Sequence, residues 1–576
     1  MIFKNLEIKN FRNFENIEVP LDNKNVIFGM NDIGKTNFLY AMRFLLDRDI
    51  RKNGFVKTDY HKNNTDNDIS ILLELDISDF DESEDTKSLV SEAAGVRSSR
   101  NAEKFYIKIV GEYNKKELIG EPILLWGDDK ENLYQMDSRG YAFSIDNIFK
   151  VIYINPLVDL EKLFLKNKRL LMDESSSSDD DKKIIEEINE LTDNVNKKIG
   201  EMKIIDNLQT EITTEYNDLR NENIEIQMKS EMAIKGFFSD IVPYIKKKDD
   251  ENYYPTSGDG RRKILSYSIL NLLVKKLYED KIVVYLIEEP ENSLHRSMQL
   301  ALSHQIFSNK AYEYCFISTH SSDILYELDN AMLLRIYSTD KVECSTHLYK
   351  INESFTKDKK KLNREFCNAL FSERVLLIEG PSEKVLFEKV MNEINKEYEL
   401  DGGYILQVNG TYFKTYFEAF KGLNIDIIVK TDNDLKIKKG STDEYELLGI
   451  NRCLKLIGDK QQPNIKMNFT SNVKKTKLRE LKVKRKALYT EKKSLVDKFE
   501  QNKIFLSELD LENDLFNVIG DRLSEILVID RKKVVEKLQS SKLYMMVDVV
   551  EDLDNGDCKK IYNSKYFKCL KRLNDE

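Results

Sequence analysis

Val375-Leu-Leu-Ile-Glu379-Gly-Pro-Ser-Glu383 is a run of four apolar residues followed by a carboxylate, a Gly-Pro pair and a second carboxylate. Such a short apolar run is typical of a buried parallel strand. The Gly-Pro pair ends the strand, and proline suits the first turn of a helix. Glu379 is therefore expected at the carboxyl end of a strand, where open α/β sheets bind their ligands. Glu383 follows about one helical turn later, so both acids are expected to face one point.

Two further acidic clusters follow the same pattern. Residues 425–434 are an apolar run that ends in Asp432 and Asp434, and residues 507–515 contain Asp510 and Glu512. Carboxylates that converge at strand ends are the hard oxygen ligands that Mg²⁺ or Mn²⁺ prefers. Two such ions stabilise the attacking and leaving oxygens in phosphodiester cleavage. The predicted metal ligands are Glu379, Glu383, Asp432, Asp434, Asp510 and Glu512, and the predicted catalytic residues are Glu379, Asp432, Asp434, Asp510 and Lys542, the lysine acting on phosphate charge.

The order of these motifs resembles the Toprim domain, in the form found in nucleases of the overcoming-lysogenization-defect (OLD) family. The family marks are the glutamate strand, the Asp-x-Asp strand and a late acidic cluster followed by lysine, here Lys542. Any one of these acids alone is better explained as a solvent-facing residue at a strand end. Their joint occurrence in this order favours a metal-dependent nuclease.

A phosphate-binding loop stands near the start of the chain. Residues 29–37, Gly-Met-Asn-Asp-Ile-Gly-Lys-Thr-Asn, match G-x-x-x-x-G-K-[ST] between an apolar strand and a helix. Backbone N–H groups and the helix N-terminus hold the phosphates of a nucleotide in such loops. Lys35 is predicted to reach the outer phosphates and Thr36 to hold Mg²⁺. The other predicted contacts of this loop are Asn31, Gly34 and Asn37.

Three later stretches resemble the remaining parts of ABC-type ATPases of the RecF, SMC and OLD group. An apolar strand ends in Glu288 and Glu289, which resemble a Walker B motif: Glu288 would bind Mg²⁺ through water and Glu289 would polarise the attacking water. His320 follows another strand and resembles the switch histidine that senses the γ-phosphate. Ser257, Gly258 and Gly260 resemble the signature motif, which in that family completes the ATP site of another protomer.

Length and charge set the limits of the remaining interpretation. A chain of 576 residues is too long for one core. Its formal net charge of −10 means that nucleic-acid contact must come from local basic patches. The six cysteines lack a repeated CxxC spacing, so neither a zinc site nor a disulfide framework is predicted. No signal peptide or membrane-spanning run is recognisable, so a cytoplasmic protein without membrane contact is expected.

We therefore expect an α/β protein in which an N-terminal ABC-type ATPase head, with an inserted helical oligomerisation element, precedes a C-terminal Toprim α/β domain. The expected divisions are residues 1–160 (ATPase, first part), 161–228 (inserted helices), 229–350 (ATPase, second part), 351–370 (linker) and 371–576 (Toprim). The inserted helices are equally compatible with a plain helical subdomain. The Lys-rich residues 473–503, which include Lys474, Lys475, Lys477, Arg479, Lys482, Lys484, Arg485 and Lys486, would either neutralise DNA phosphates or form a solvated helix.

Residues 27–39, 254–263 and 506–515 resemble the nuclease subunits of Gabija anti-phage systems. That resemblance implies an endonuclease that nicks double-stranded DNA, uses Mg²⁺ (or Mn²⁺) and ATP, assembles as a homotetramer and works with a UvrD-like helicase subunit. In that family, bound nucleotide restrains cleavage, whereas the ATPase motifs themselves would equally suit a protein in which ATP drives cleavage. The alternative is an SMC- or RecF-like ATPase that clamps DNA without cutting it. Topoisomerase or primase chemistry is disfavoured because no separate catalytic-tyrosine domain and no zinc module are recognisable.

Overall fold

The fold is given by a computed structural model of the full chain. The described residues are 1–30, 33–80, 82–93, 95, 102–139, 142–156, 179–220, 225, 227, 244–245, 254–255, 259–327, 331–338, 346–350, 362, 364–408, 412–471 and 473–575. Three predicted nucleotide contacts, Asn31, Ser257 and Gly258, lie outside these ranges.

The N-terminal half alternates strands and helices. Its strands are β1 (Ile2–Phe11), β2 (Phe14–Pro20), β3 (Lys24–Phe28), β4 (Ile69–Asp76), β5 (Lys104–Asn114), β6 (Ile119–Gly127), β7 (Tyr134–Gln135), β8 (Ser138–Arg139), β9 (Ala142–Phe143), β10 (Phe149–Ile154), β11 (Tyr244–Ile245), β12 (Tyr254–Pro255), β13 (Ile282–Glu288), β14 (Tyr314–Thr319), β15 (Met332–Ser338) and β16 (Thr346–Lys350). Its helices are α1 (Lys35–Leu46), α2 (Arg48–Arg51), α3 (Glu84–Glu92), α4 (Ile145–Ile148), α5 (Asp179–Gly200), α6 (Lys203–Arg220), α7 (Asp259–Leu277), α8 (Arg296–Ser308) and α9 (Ser322–Glu327).

Two sheets organise these elements. One is antiparallel, with the order β2-β1-β4-β5-β6-β7, and the other has the order β10-β13-β14-β3-β15-β16. In the second sheet β13, β14, β3 and β15 run parallel, so their carboxyl ends share one edge. The register pairs Glu288 with Ser318, and Phe28 with both Thr319 and Arg335. The predicted phosphate loop, Walker B acids and switch histidine therefore all follow strands at the same edge.

Residues 154–283 and 293–295 form a second compact unit. Its described helices include α5 and α6, which contact each other, and α5 already begins at Asp179. Large apolar side chains on α5 and α6 are exposed at Ile184, Leu191, Val195, Ile204 and Leu208.

The C-terminal half is built on a smaller parallel sheet. Its strands are β17 (Arg374–Ile378), β18 (Gly403–Gln407), β19 (Asp426–Thr431), β20 (Lys436–Ile437), β21 (Glu444–Glu446), β22 (Ile465–Lys466) and β23 (Ile504–Leu506). Its helices are α10 (Glu365–Ala369), α11 (Pro381–Ile394), α12 (Phe413–Phe420), α13 (Leu448–Ile457), α14 (Lys474–Glu491), α15 (Lys493–Gln501), α16 (Leu511–Ile526), α17 (Val534–Ser540), α18 (Lys542–Glu551), α19 (Asn555–Tyr562) and α20 (Lys568–Leu573). The parallel strands follow the order β18-β17-β19-β23, and β20, β21 and β22 form a small antiparallel sheet.

Helix α11 starts where the sequence pattern places it. Pro381 occupies its first turn, and Glu383 returns its side chain to the N–H of the N-cap residue Gly380, which is the glutamate half of a capping box. The face bearing Leu386, Phe387 and Val390 is fully buried in the core between the sheet and the C-terminal helices. Burial of each such side chain contributes roughly 1.5–3 kcal/mol, so this packing fixes the direction in which Glu379 leaves β17.

Arg335 joins the ATPase sheet to the C-terminal half. It lies on β15, is 2% exposed, and donates to the carbonyl oxygens of Leu370 (3.0 Å), Ser372 (2.7 Å) and Leu423 (2.6 Å). Phe28, the last residue before the phosphate loop, packs edge-on against Phe371 at 5.5 Å between ring centroids. The strand that precedes the phosphate loop and the base of the Toprim sheet are therefore in direct contact.

The end of the expected linker, residues 351–370, contains the short helix α10. The Lys-rich residues 473–503 form two helices, α14 and α15, that meet at Lys492. None of the helices in the described ranges combines the length and apolar character required of a bilayer-spanning segment.

Candidate metal and nucleotide sites

Glu379 lies directly after β17, as the apolar run predicts. One carboxylate oxygen, Oε1, accepts hydrogen bonds from the Thr431 hydroxyl (2.6 Å) and the Asp432 N–H (3.0 Å). The Arg452 guanidinium donates to the same oxygen. Because Thr431 ends the neighbouring strand β19, parallel pairing brings the first and second acidic clusters together.

Glu383 approaches this point, but half of its carboxylate is engaged elsewhere. Its Oε2 accepts the N–H groups of Glu379 (2.6 Å) and Gly380 (3.0 Å). Its Oε1 is buried and has no hydrogen-bond partner in the described part of the chain. Burial, and then the charge of Glu379, raises the pKa of Glu383 to about 7.

Asp432 and Asp434 follow β19 with opposite surroundings. Asp432 is surrounded by acids: burial and the charges of Glu383 and Glu379 raise its pKa well above the usual value. Its Oδ1 is also buried without a hydrogen-bond partner among the residues described. Asp434 lies 3.1 Å from a guanidinium nitrogen of Arg485; burial raises its pKa although Arg485 opposes the shift.

The third cluster sits at the start of α16. Asp510 caps that helix by accepting the Asn513 N–H (3.0 Å), and its other oxygen accepts from Gln539 (3.1 Å). Glu512 is 1% exposed and lies 3.4 Å from the ammonium of Lys542. Burial raises the pKa of Glu512 although Lys542 opposes it. Lys542 itself is 56% exposed, so its ammonium can meet a phosphate that approaches from solvent.

These acids have the donor chemistry that a divalent cation needs. Three buried oxygens, Glu383 Oε1, Asp432 Oδ1 and Glu512 Oε2, lack hydrogen-bond partners in the described ranges, and burial, together with the charges of the neighbouring acids, raises the pKa of Asp432. No three His, Cys, Asp or Glu side chains of the described residues are arranged to hold an ion as they stand. The predicted ligands thus lie near one another, as the repulsion between Asp432 and the other acids shows, without forming a coordination shell.

Two arginines and a glycine complete this site, and sequence reasoning missed their part in it. Gly449 lies in the first turn of α13, close to the loop that contains Asp432 and Asp434. A Cβ at Gly449 would lie 2.3 Å from the Asp432 carbonyl oxygen. This close approach places Arg452, one turn later, against Glu379. Arg485, expected among the side chains that meet DNA phosphates, instead turns inward and donates to the carbonyls of Asn433 and Leu509.

The raised carboxyl pKa values predict how the metal-free protein responds to pH. A carboxyl whose pKa is raised by folding stabilises the fold below its ordinary pKa, and this contribution is lost as pH rises through the folded value, about 7 for Glu383. We expect the thermal midpoint of metal-free protein to fall between pH 5.5 and pH 8, and Mg²⁺ to reduce that fall. Glu383→Gln should flatten the profile. A midpoint that rises over this interval would contradict the prediction.

The nucleotide site is formed at the edge of the larger parallel sheet. Gly34 adopts φ +105° directly before α1, and a Cβ there would lie 1.9 Å from Asn13, so only glycine suits this turn. Lys35 is buried and donates to the carbonyl oxygens of Gly29 (3.0 Å) and Met30. Thr36 is exposed. Asn37 accepts from Arg12 (2.9 Å) and donates to Asn13 (2.8 Å).

The acids at the end of β13 differ in their exposure and in their contacts. Glu288 is 7% exposed, and Glu289, with φ +42°, lies 3.4 Å from Nε2 of His320. Glu291, which sequence reasoning did not single out, accepts from the Thr319 hydroxyl (2.8 Å) and the His320 N–H (2.6 Å). The structure thus brings Glu289 and His320 together. Gly260, from the predicted signature motif, lies in the first turn of α7.

A cavity of about 800 Å³ opens beside α1. Its lining includes Arg12, Asn37, Tyr40, Asp59 and His61. Arg12 also pairs with Asp59 (2.9 Å) and stacks over the Tyr40 ring at 4.4 Å. Asn37, which follows the phosphate loop, is the residue that this cavity shares with the predicted nucleotide contacts.

Two family models match the chain. Residues 1–139 and 141–325 match the AAA ATPase domain, and residues 370–434 match the TOPRIM domain of overcoming-lysogenization-defect-like proteins. The expected fold, an ATPase head followed by a Toprim domain, is thereby confirmed.

Two curated proteins are similar in sequence. Endonuclease GajA of Bacillus cereus (strain VD045) is 55% identical over 574 residues, which cover 100% of this chain and 99% of that protein. The DNA replication and repair protein RecF of Lachnoclostridium phytofermentans is 24% identical over 349 residues, or 55% of this chain and 92% of that protein.

Two solved structures resemble separate parts of the chain. The match to the SMC head domain from Thermotoga maritima covers 61% of this chain and 100% of that chain, at 11% identity and a TM-score of 0.31. The match to the C-terminal region of the Burkholderia pseudomallei OLD protein covers 36% of this chain and 98% of that chain, at 17% identity and a TM-score of 0.24.

Proposed function

The chain belongs to the endonuclease GajA family, and from that premise we propose that it is a metal-dependent DNA endonuclease whose nicking activity is controlled by nucleotide bound to its ATPase head. The observation that carries the proposal is the convergence of acids from three strand ends, with buried oxygens that lack hydrogen-bond partners in the described residues. Burying several negative charges together is unfavourable unless a cation neutralises them.

The proposed ligands of Mg²⁺ or Mn²⁺ are Glu379, Glu383, Asp432, Asp434, Asp510 and Glu512. When bound, the cation supplies Lewis acidity at the scissile phosphate and a more acidic water. The protein orients the acids through Thr431, Arg452 and the cap of α16. Lys542, half-exposed beside Glu512, would meet the phosphate and stabilise its charge.

ATP is proposed to bind through Asn31, Gly34, Lys35, Thr36, Asn37, Glu288, Glu289 and His320, with Ser257, Gly258 and Gly260 facing the nucleotide of another protomer. The contact of Glu289 with His320 supports a site that responds to the outer phosphate. Arg335 supports coupling, because it joins the sheet of the phosphate loop to the Toprim sheet. Bound nucleotide would restrain cleavage.

We also infer the setting in which the nuclease acts. It would form a homotetramer, pair with a UvrD-like helicase subunit and defend bacteria against phage. The apolar side chains that α5 and α6 expose support the assignment of residues 161–228 as the oligomerisation element. The division into an ATPase over residues 1–160 and 229–350, a linker over 351–370 and a Toprim domain over 371–576 is part of the same proposal.

Supercoiled plasmid tests the activity directly. Purified full-length protein should convert it to nicked circles in the presence of Mg²⁺, lose this activity in EDTA and slow when ATP is added. Absence of metal-dependent cleavage would refute the endonuclease and favour a DNA-clamping ATPase. Linear product without a nicked precursor would refute nicking.

Lys35→Ala should separate nucleotide control from cleavage. Hydrogen bonds to charged groups contribute about 1.5–3 kcal/mol, so ATP affinity should fall by about 10- to 100-fold while cleavage without ATP persists. Calorimetry with ATP and plasmid cleavage over an ATP titration would measure both. Lys24→Ala is the matched control, since Lys24 starts β3 and binds the Phe307 carbonyl (2.7 Å). Loss of cleavage in Lys35→Ala alone would mean that ATP drives the reaction.

A further inference from the structure

Helix α14 is unusual for how little of it is used in packing. Its 18 residues include eight Lys or Arg and two Glu, and Leu488 is its only fully buried residue. Leu478 and Val483 are exposed by more than half. A helix that is polar on all sides and buries so little gains little stability from the core, so its function must lie on its surface.

The charges of α14 are mostly uncompensated. Lys475, Lys484 and Lys486 reach carboxylates only at 3.8, 3.9 and 3.5 Å, and exposed pairs of this kind contribute at most about 1 kcal/mol. The remaining basic side chains without an ion pair in the described part of the chain are Lys474, Lys477, Arg479 and Lys482. In a chain with net charge −10, this is a concentrated positive surface.

Arg485 fixes this surface to the acidic site. Its guanidinium donates to the carbonyl of Asn433, in the loop with Asp432 and Asp434, and to the carbonyl of Leu509, directly before Asp510. It also lies 3.1 Å from the Asp434 carboxylate. Asn433 returns hydrogen bonds to the carbonyls of Arg485 (3.0 Å) and Glu508 (3.2 Å). Helix α14 is thus anchored to both loops through its C-terminal half, and most of its basic residues precede the anchor.

We propose that α14 is the surface that binds the sugar-phosphate backbone of duplex DNA and holds it beside the acidic cluster. The inference rests on the proposed nuclease function and adds the element that positions the substrate. A polyanion is the matching partner because the basic side chains extend along the helix from Lys474 to Lys486, while the acids they adjoin would repel DNA on their own. Arg485 acts as a positioning residue in this arrangement.

The test is DNA binding without cleavage. Fluorescence anisotropy of a labelled 30-base-pair duplex, with Ca²⁺ in place of Mg²⁺, would follow full-length protein over a salt titration. The variant Lys474→Gln/Lys477→Gln/Arg479→Gln/Lys482→Gln removes four charges that pair with no acid. Each lost phosphate contact should lower the slope of log K against log salt by about 0.9, and affinity at physiological salt should fall more than about tenfold.

The matched control is Lys396→Gln/Lys414→Gln/Lys421→Gln/Lys559→Gln, which removes the same charge from exposed positions of the same half of the chain. It should retain the wild-type slope. An unchanged slope in the α14 variant, an equal loss in the control, or no DNA binding by wild type would each overturn the proposal. Wild-type cleavage of plasmid is a separate readout, so a misplaced DNA surface is distinguishable from an absent nuclease.

Discussion

Glu379→Gln is expected to lower metal-dependent cleavage by more than about 100-fold. Removal of even the outer partners of metal ligands costs about 10- to 100-fold, and Glu379 lies at the centre of the acidic cluster. Glutamine keeps the shape and can still accept from Thr431 and Asp432. What it loses is the negative charge that a divalent cation needs and that Arg452 faces.

Three measurements separate this chemical loss from a folding defect. Calorimetry with Mn²⁺ should show weakened binding, while the thermal midpoint and ATP affinity stay within error of wild type. Glu388→Gln is the matched control, because Glu388 lies on α11, the helix that follows Glu379, and pairs only loosely with Lys384 (3.9 Å). Cleavage above one tenth of wild type in Glu379→Gln would exclude Glu379 as a ligand.

The strand-turn-helix around Glu379 could be predicted because its signals are local. Four apolar residues, a Gly-Pro pair and an acid three residues into the helix specify β17, the turn and the glutamate cap of α11 without distant contacts. The same capping geometry explains why Glu383 behaves differently from the simple expectation. Its spacing brought it to the site, but its Oε2 satisfies backbone N–H groups at the start of its own helix.

Arg452 and Arg485 could not be recognised from sequence because their roles depend on tertiary packing. Arg452 reaches Glu379 across 73 residues of chain, and Arg485 reaches Asn433 across 52. In a helix with eight basic residues, no local pattern distinguishes the one that turns inward. A signal did exist for Lys430, since a charged residue inside an apolar strand requires a buried partner.

Lys430→Met is expected to destabilise the Toprim half by about 3–5 kcal/mol, the cost of breaking a buried ion pair from one side. Lys430 and Asp514 are each 1% exposed and lie 3.0 Å apart, and Lys430 also donates to the Tyr566 carbonyl (3.1 Å). The single variant leaves the Asp514 carboxylate buried without its cation. It also releases β19, which Asp432 follows, from α16, which Asp510 caps.

The double variant Lys430→Met/Asp514→Leu separates the cost of an unpaired buried charge from the contribution of the ion pair. It removes both charges and fills the space with apolar groups, so stability should return to near wild type, as replacing whole buried pairs often does. Thermal unfolding of all three proteins in EDTA would measure the cycle. Near-equal midpoints for single and double variants would mean that the pair itself, and not the stranded charge, holds the acidic elements together. Lys430 directly precedes Thr431, which donates to Glu379. Cleavage by the double variant would therefore show whether apolar packing alone keeps β19 in the position that cleavage requires, or whether the ion pair is needed.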